Sequence, residues 1–202
     1  MYIPPYYKEN DEHKLVEFMQ ANSFATLINA YNNNIRATHL PFMIEKRNEQ
    51  IFLVTHMAKA NPQWKEFSQQ ELLVIFQGPH AYISPSHYEK KQNVPTWNYI
   101  AVHAYGKATL LEEDEKAITV LEAMIKTYEP AYYEQWKQLA PEYINGMLKG
   151  IMSFEIEVTR LEGKFKLSQN KTKNEQEHII TTFEKGDDPL AKGISSEMKK
   201  NL

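Results

Sequence analysis

The chain has 202 residues, 42% hydrophobic and 24% charged, a size and balance suited to one soluble globular domain or one domain with a helical appendage. It contains no cysteine, which excludes a disulfide framework, a thiolate metal site and a cysteine nucleophile. The net charge of -3 argues against a protein that coats nucleic acid, because neutralising phosphates demands a strongly basic surface. No apolar run approaches the ~20 residues needed to span a bilayer. The opening Met1-Tyr2-Ile3-Pro4-Pro5 lacks the basic start and apolar core of a signal peptide. A cytoplasmic location with no membrane association is therefore expected.

Asp11 to Ala21 reads as a helix, with Asp11 as cap and Leu15, Phe18 and Met19 on one face. A meander of short strands follows. Ser23 to Ala30, Ile35 to Ile44 and Gln50 to Thr55 are separated by the turns Tyr31-Asn32-Asn33-Asn34 and Arg47-Asn48-Glu49. Asn61 caps a short helix to Gln70, with Pro62 at its first position. Leu72 to Gln77 is an apolar strand, and another strand runs from Ile100 through Gly106 to Leu111.

Glu112 to Glu129 is the clearest helix, acidic in its first turn and apolar along the stripe of Ala117, Val120, Leu121, Met124, Ile125 and Tyr128. Helical spacing resumes from Tyr132 to Leu139 and from Tyr143 to Gly150. Ile151 to Leu161 alternates cleanly, with Phe154, Ile156 and Val158 on one face and Ser153, Glu155, Glu157 and Thr159 on the other. Glu162-Gly163 reads as a turn before a last short strand, Lys164 to Gln169. Thr172 to Glu175 has the form of a capping box, so a helix starts at Lys173 and ends at Gly186. Asp187-Asp188-Pro189 caps a final helix to Lys200. About seven short strands with inserted helices predict an α+β fold, an antiparallel barrel with peripheral helices.

The stretch Ile75–Gly106 concentrates three His, four Tyr, Trp97 and three Pro around the charged loop Glu89-Lys90-Lys91-Gln92-Asn93. It reads as two strands joined by a Pro-stiffened aromatic excursion, either a functional loop or an interface. The basic segments Lys90-Lys91 and Lys199-Lys200 read as solvated surface. No glycine-rich phosphate loop and no GxSxG elbow is present. Five of the seven His lie between His39 and His103, without a metal-binding spacing. No metal ligand and no catalytic residue is assigned.

Three stretches carry binding potential. His56 to Pro62 joins a strand to a helix start, where backbone N–H groups and the Lys59 ammonium would converge on an anion. An ordinary strand-to-helix connection with a surface Lys explains the same residues. Arg36 to Pro41 places polar residues on a strand whose backbone a flat ligand would meet, with a solvent-facing strand as the alternative. Lys164 to Asn170 ends a strand in a polar triplet that would hold a ligand or merely cap the next helix.

These stretches together resemble the PaiB-like proteins, the FMN-binding negative transcriptional regulators of bacteria. The matching motifs are MYIPPYY at Met1–Tyr7, ATHLPF at Ala37–Phe42, THMAKANPQW at Thr55–Trp64, VIFQGPHAYISPSHY at Val74–Tyr88, VPTWNYIAVHAYG at Val94–Gly106 and FEIEVTRLEGKFKLSQNK at Phe154–Lys171. The resemblance implies an FMN-binding split β-barrel of the flavin-reductase and pyridoxamine-phosphate-oxidase kind over residues 1–170. Residues 171–202 would be a helical extension packed on it. It also implies a homodimer with FMN at the subunit interface.

By the same resemblance, Arg36, Thr38, His39 and Leu40 would lie beside the flavin ring, and Thr55, His56 and Lys59 at its phosphate. Trp97, Asn98, Lys166, Ser168 and Gln169 would come from neighbouring elements, including those of the other subunit. Superfamily oxidases often carry an Arg/Lys pair where this chain has Ala58-Lys59, so one expected charge is absent. Gln77 to Pro85 and Pro95 to Asn98 would form a stiff aromatic wall at the interface. The family implies repression of sporulation and degradative-enzyme genes. No basic recognition helix is legible, so an indirect route is expected rather than direct DNA contact. The alternatives are a flavin-dependent oxidoreductase on a small cytoplasmic substrate, or a haem-binding split barrel using His39, His56, His80 or His103.

Overall fold

A computed structural model describes residues 1–90 and 92–202, with every side chain among them except that of Gln69. Lys91, half of the Lys90-Lys91 segment, lies outside the described residues. Eight strands form one antiparallel sheet with flanking helices. In chain order they are β1 (Lys8–Glu9), β2 (Phe24–Tyr31), β3 (Asn34–Pro41), β4 (Met43–Arg47), β5 (Gln50–Ala58), β6 (Leu72–Ile83), β7 (Thr96–Leu111) and β8 (Ile151–Lys166). The helices are α1 (Glu12–Ala21), α2 (Asp114–Tyr128), α3 (Tyr132–Trp136), α4 (Pro141–Leu148), α5 (Lys173–Lys185) and α6 (Pro189–Lys199). The strand order is β3-β2-β6-β7-β8-β5-β4, with β1 added on β8. The path is open, so β3 and β4 are edges rather than a closed seam.

The chain divides into two compact units. One comprises residues 19–76 and 104–161, the other residues 1–18, 77–103 and 162–202. In the first unit β2 pairs with β3 from Phe24↔Pro41 to Tyr31↔Asn34, turning on Asn32 and Asn33 at φ 48 and 61. Asparagine tolerates that left-handed region, which is why this loop reads correctly from sequence. β5 pairs with β4 and with β8, His56 lying opposite Ser153. Leu27, Phe42, Leu53, Phe67, Phe76 and Phe154 are fully buried, and the rings of Phe67 and Phe154 meet at 4.9 Å. The apolar stripe of α2 is used as expected, with Val120 and Met124 buried against Met43 and Val54.

In the second unit β1 pairs with β8 through Lys8↔Lys164 and Glu9↔Gly163. Phe18 of α1 packs on Phe165 at 5.5 Å. α5 and α6 bury Ile179, Ile180, Phe183, Ala191, Ile194 and Met198. The predicted capping box is formed: the Thr172 hydroxyl accepts from the Glu175 N–H, and the Glu175 carboxylate accepts from the Thr172 N–H.

Four expectations are corrected. The single strand expected from Ile35 to Ile44 is two, broken at Phe42, whose N–H turns to the Ser23 carbonyl at 2.9 Å. Glu162-Gly163 is no turn but the interior of a sixteen-residue strand. Glycine is needed there because a β-carbon would lie 2.3 Å from Leu15 Cδ2 and 3.2 Å from the Glu9 carbonyl oxygen. β6 continues past Gln77 through Gly78-Pro79 to Ile83, so the aromatic excursion is shorter than it reads. Ser153, expected on the outer face, is 1% exposed.

Candidate functional site

The residues assigned by resemblance fall into two groups. Arg36, Thr38, His39, Leu40, Thr55, His56 and Lys59 belong to the first unit, and Trp97, Asn98, Lys166, Ser168 and Gln169 to the second.

In the first unit, β3 is an edge strand, bonded on one side to β2. Among the described residues its other backbone edge has no strand partner and offers alternating N–H and C=O groups. Alternation turns successive side chains to opposite faces. Thr38 donates to Gln63 Oε1 and accepts from Asn61 Nδ2 at 3.0 Å. Gln63 Nε2 donates to Asn29 Oδ1 at 2.9 Å, Asn29 Nδ2 to Glu66 Oε2 at 2.8 Å, and Arg36 Nε to Glu66 Oε1 at 2.9 Å. A satisfied polar chain thus ties β2 and β3 to the 3-10 helix Pro62–Gln69, fixing the edge strand in place. His39 is exposed and stacks on Phe24, centroids 6.3 Å apart, while Leu40 points into the core. Sequence reading missed this wiring, because Asn29, Gln63 and Glu66 meet only through the fold.

At the end of β5, Thr55 is fully buried and its hydroxyl donates to the Pro41 carbonyl at 2.6 Å. His56 is half-buried, its Nδ1 is buried without a partner among the described residues, and burial pushes its pKa down. Burial thus favours the neutral imidazole, which donates or accepts a hydrogen bond without supplying a charge. Ser153, opposite it on β8, also has a buried hydroxyl without a partner among the described residues. Of the two readings of His56 to Pro62, the backbone N–H groups follow the ordinary strand-to-helix connection. The Lys59 N–H donates to the Gly150 carbonyl, that of Asn61 to Ala58, and that of Gln63 to Asn61 Oδ1. What remains for an anion is the exposed Lys59 ammonium, held at a fixed strand end where the Lys59 carbonyl accepts from Trp64 Nε1 at 3.0 Å.

In the second unit, Asn98, Lys166 and Ser168 converge on a cavity of about 160 Å³. Asn98 and Ser168 are buried and exchange hydrogen bonds of 2.9 and 3.1 Å. Ser168 sits at φ 64, which turns its hydroxyl back toward Asn98 as β8 ends. Trp97 lies on the opposite face of β7, half exposed, its ring 5.9 Å from Tyr82 and 6.1 Å from His80. Gln169 is committed to its own loop, accepting from the Leu167 N–H and donating to the Phe165 carbonyl.

Residues 1–160 match the family described as "Putative FMN-binding domain". The chain belongs to this FMN-binding family. It is 40% identical to the protease synthase and sporulation protein PAI 2 of Bacillus subtilis, over 100% of this chain and 98% of that one. It is 30% identical to an uncharacterised protein of Emericella nidulans, over 91% and 90% of the two chains. Among solved structures, the flavocytochrome Anf3 of Azotobacter vinelandii superposes with a TM-score of 0.62 at 13% identity, covering 81% of this chain and 72% of that one. The FAD- and heme-binding protein of Mycobacterium smegmatis gives 0.61 at 12% identity, with 79% and 73% covered. At such identities these two likenesses carry the fold alone, a split barrel whose sheet in this chain is open.

The cofactor of the FMN-binding family is FMN, and the donor set of the first unit fits its chemistry. A flat, hydrogen-bonding ring suits the unpaired backbone edge of β3 beside His39. A phosphate suits the Lys59 ammonium at the end of β5, with the buried His56 Nδ1 and Ser153 hydroxyl as unspent polar atoms nearby on paired strands. FMN supplies redox chemistry and colour when bound, and the protein supplies grip and orientation.

Proposed function

We propose that this protein is an FMN-binding regulator that lowers the expression of protease and sporulation genes without touching DNA itself. The observation that carries this reading is the match to PAI 2 of Bacillus subtilis at 40% identity over essentially both whole chains. Charge supports the indirect route. The chain is net negative, and the helical pair at its end opens α6 with Asp187 and Asp188, where DNA phosphates would be repelled. Flavin occupancy at the β3 edge and Lys59 is the signal that the regulator reads.

A homodimer in the cytoplasm is part of the proposal. Ile35 and Phe24 of the β2–β3 hairpin are 78% and 67% exposed, apolar surface suited to a second subunit. No described helix is long and apolar enough to cross a membrane.

The test pairs a protease-promoter reporter with the intact gene, its deletion and Lys59→Ala. Deletion is expected to raise reporter output, and Lys59→Ala to reproduce much of that rise at unchanged protein level. Unchanged output on deletion would contradict the regulatory reading. Specific retention of promoter DNA by the purified protein would contradict the indirect route.

A further inference from the structure

The second unit contains a cationic pocket in which the resemblance assigns Asn98, Lys166 and Ser168 to the flavin but leaves Lys171, Tyr88 and Tyr7 without a role. Lys166 and Lys171 both line the cavity of about 160 Å³, together with Tyr7, Tyr88, Asn98 and Ser168. Lys166 Nζ donates to the Thr96 hydroxyl, and Lys171 Nζ to Asn93 Oδ1 at 2.8 Å. Both partners are neutral, and among the described residues neither ammonium has a carboxylate within ion-pair distance. Lys171 also lies 3.8 Å from the centre of the Tyr88 ring. The nearby carboxylate of Glu175 is already engaged, accepting from the N–H groups of Glu89 and Thr172.

Tyr88 is 8% exposed, and its hydroxyl is buried with no hydrogen-bond partner among the described residues. A buried hydroxyl without a partner costs roughly 1–3 kcal/mol, so a ligand that accepts from it recovers that cost. Burial, then Glu175 and Tyr7, push the Tyr88 pKa up, which keeps the hydroxyl a donor. Burial and the neighbouring Lys164 push the Lys166 pKa down, a strain that a bound anion relieves.

We infer that this pocket binds a compact anion, a phosphate or small carboxylate, between the Lys166 and Lys171 ammonium groups and the Tyr88 hydroxyl. A cavity of ~150 Å³ accepts a guest of about benzene size, so the space of about 160 Å³ here suits a phosphate-sized group. The inference stands on this geometry and does not rest on FMN binding elsewhere in the chain.

The test is calorimetric titration of the full-length protein with inorganic phosphate and, separately, acetate, in the absence and presence of saturating FMN. Saturable binding of at least one anion is expected, weakened about tenfold or more by Lys166→Met and by Lys171→Met and severalfold by Tyr88→Phe. Lys192→Met, on the exposed side of α6, is expected to leave it unchanged, and thermal melts establish that each variant is folded. Anion affinity is expected to be the same with FMN present. Two results would overturn the inference: no saturable binding of either anion up to about 10 mM, or anion binding abolished by FMN together with FMN binding lost in Lys166→Met. The second would assign the pocket to the cofactor phosphate.

Discussion

A β-carbon on Gly106 would lie 2.3 Å from the carbonyl oxygen of Glu157 and 2.7 Å from Ile156 Cγ2. The first obstacle is backbone in a paired strand, which cannot swing aside. Gly106→Ala is therefore expected to destabilise the protein by roughly 1–3 kcal/mol or more. Gly146, in α4, has nothing within 4 Å of the same position. There alanine is expected to stabilise by up to about 1 kcal/mol through helix propensity. Urea midpoints of the two variants check both signs. Glycines were the residues least legible in sequence. Gly163 reads as a turn because glycine interrupts an alternating run, yet its role is to admit Leu15 and Glu9 from the far end of the chain. Asn32 and Asn33, by contrast, were legible because their requirement is local: two left-handed residues between strands.

At the scale of elements, α5 shows what local chemistry can specify. Its capping box was readable from Thr172 and Glu175 and is formed as read. Thr172→Ala is expected to cost about 1 kcal/mol. Glu175 adds a pH dependence. Burial pushes its pKa up, but the N–H bonds from Thr172 and Glu89 and the charge of Lys171 outweigh burial and hold it below the usual value. A carboxylate with a lowered folded pKa contributes stability that is fully present above its unfolded pKa, about 4.3. That contribution is lost as pH falls through the folded value. The stability gap between the wild type and Glu175→Gln is thus expected to be constant near neutrality and to shrink below about pH 4, as followed by urea melts across pH. β1 shows the opposite case. Two residues, Lys8 and Glu9, carry no periodicity, so their pairing with β8 exists only through tertiary structure. The polar chain through Thr38, Gln63, Asn29 and Glu66 is similar: each residue reads as ordinary surface until three elements bring them together.

For the whole molecule, alternation and helical stripes were enough for an α+β class and the family motifs for a split barrel. Strand order was not legible, because period-two patterning states which face is buried and not which strand lies alongside. In the proposed function the open order from β3 to β4 matters because it leaves the β3 edge available. If that hairpin faces a second subunit, sedimentation is expected to give about twice the 23.7 kDa chain mass. A monomer at micromolar concentration would remove the dimer from the proposal. The acidic balance also predicts no steep salt-dependent DNA binding.

In the proposed function FMN is held with the help of Lys59 at the end of β5. Titrating FMN fluorescence with purified protein at physiological salt tests it most directly. Saturable quenching is expected below tens of micromolar, weakened about tenfold or more by Lys59→Ala, the loss expected for a charge-assisted contact to phosphate. No saturable binding up to tens of micromolar, or binding untouched by that substitution, would contradict it.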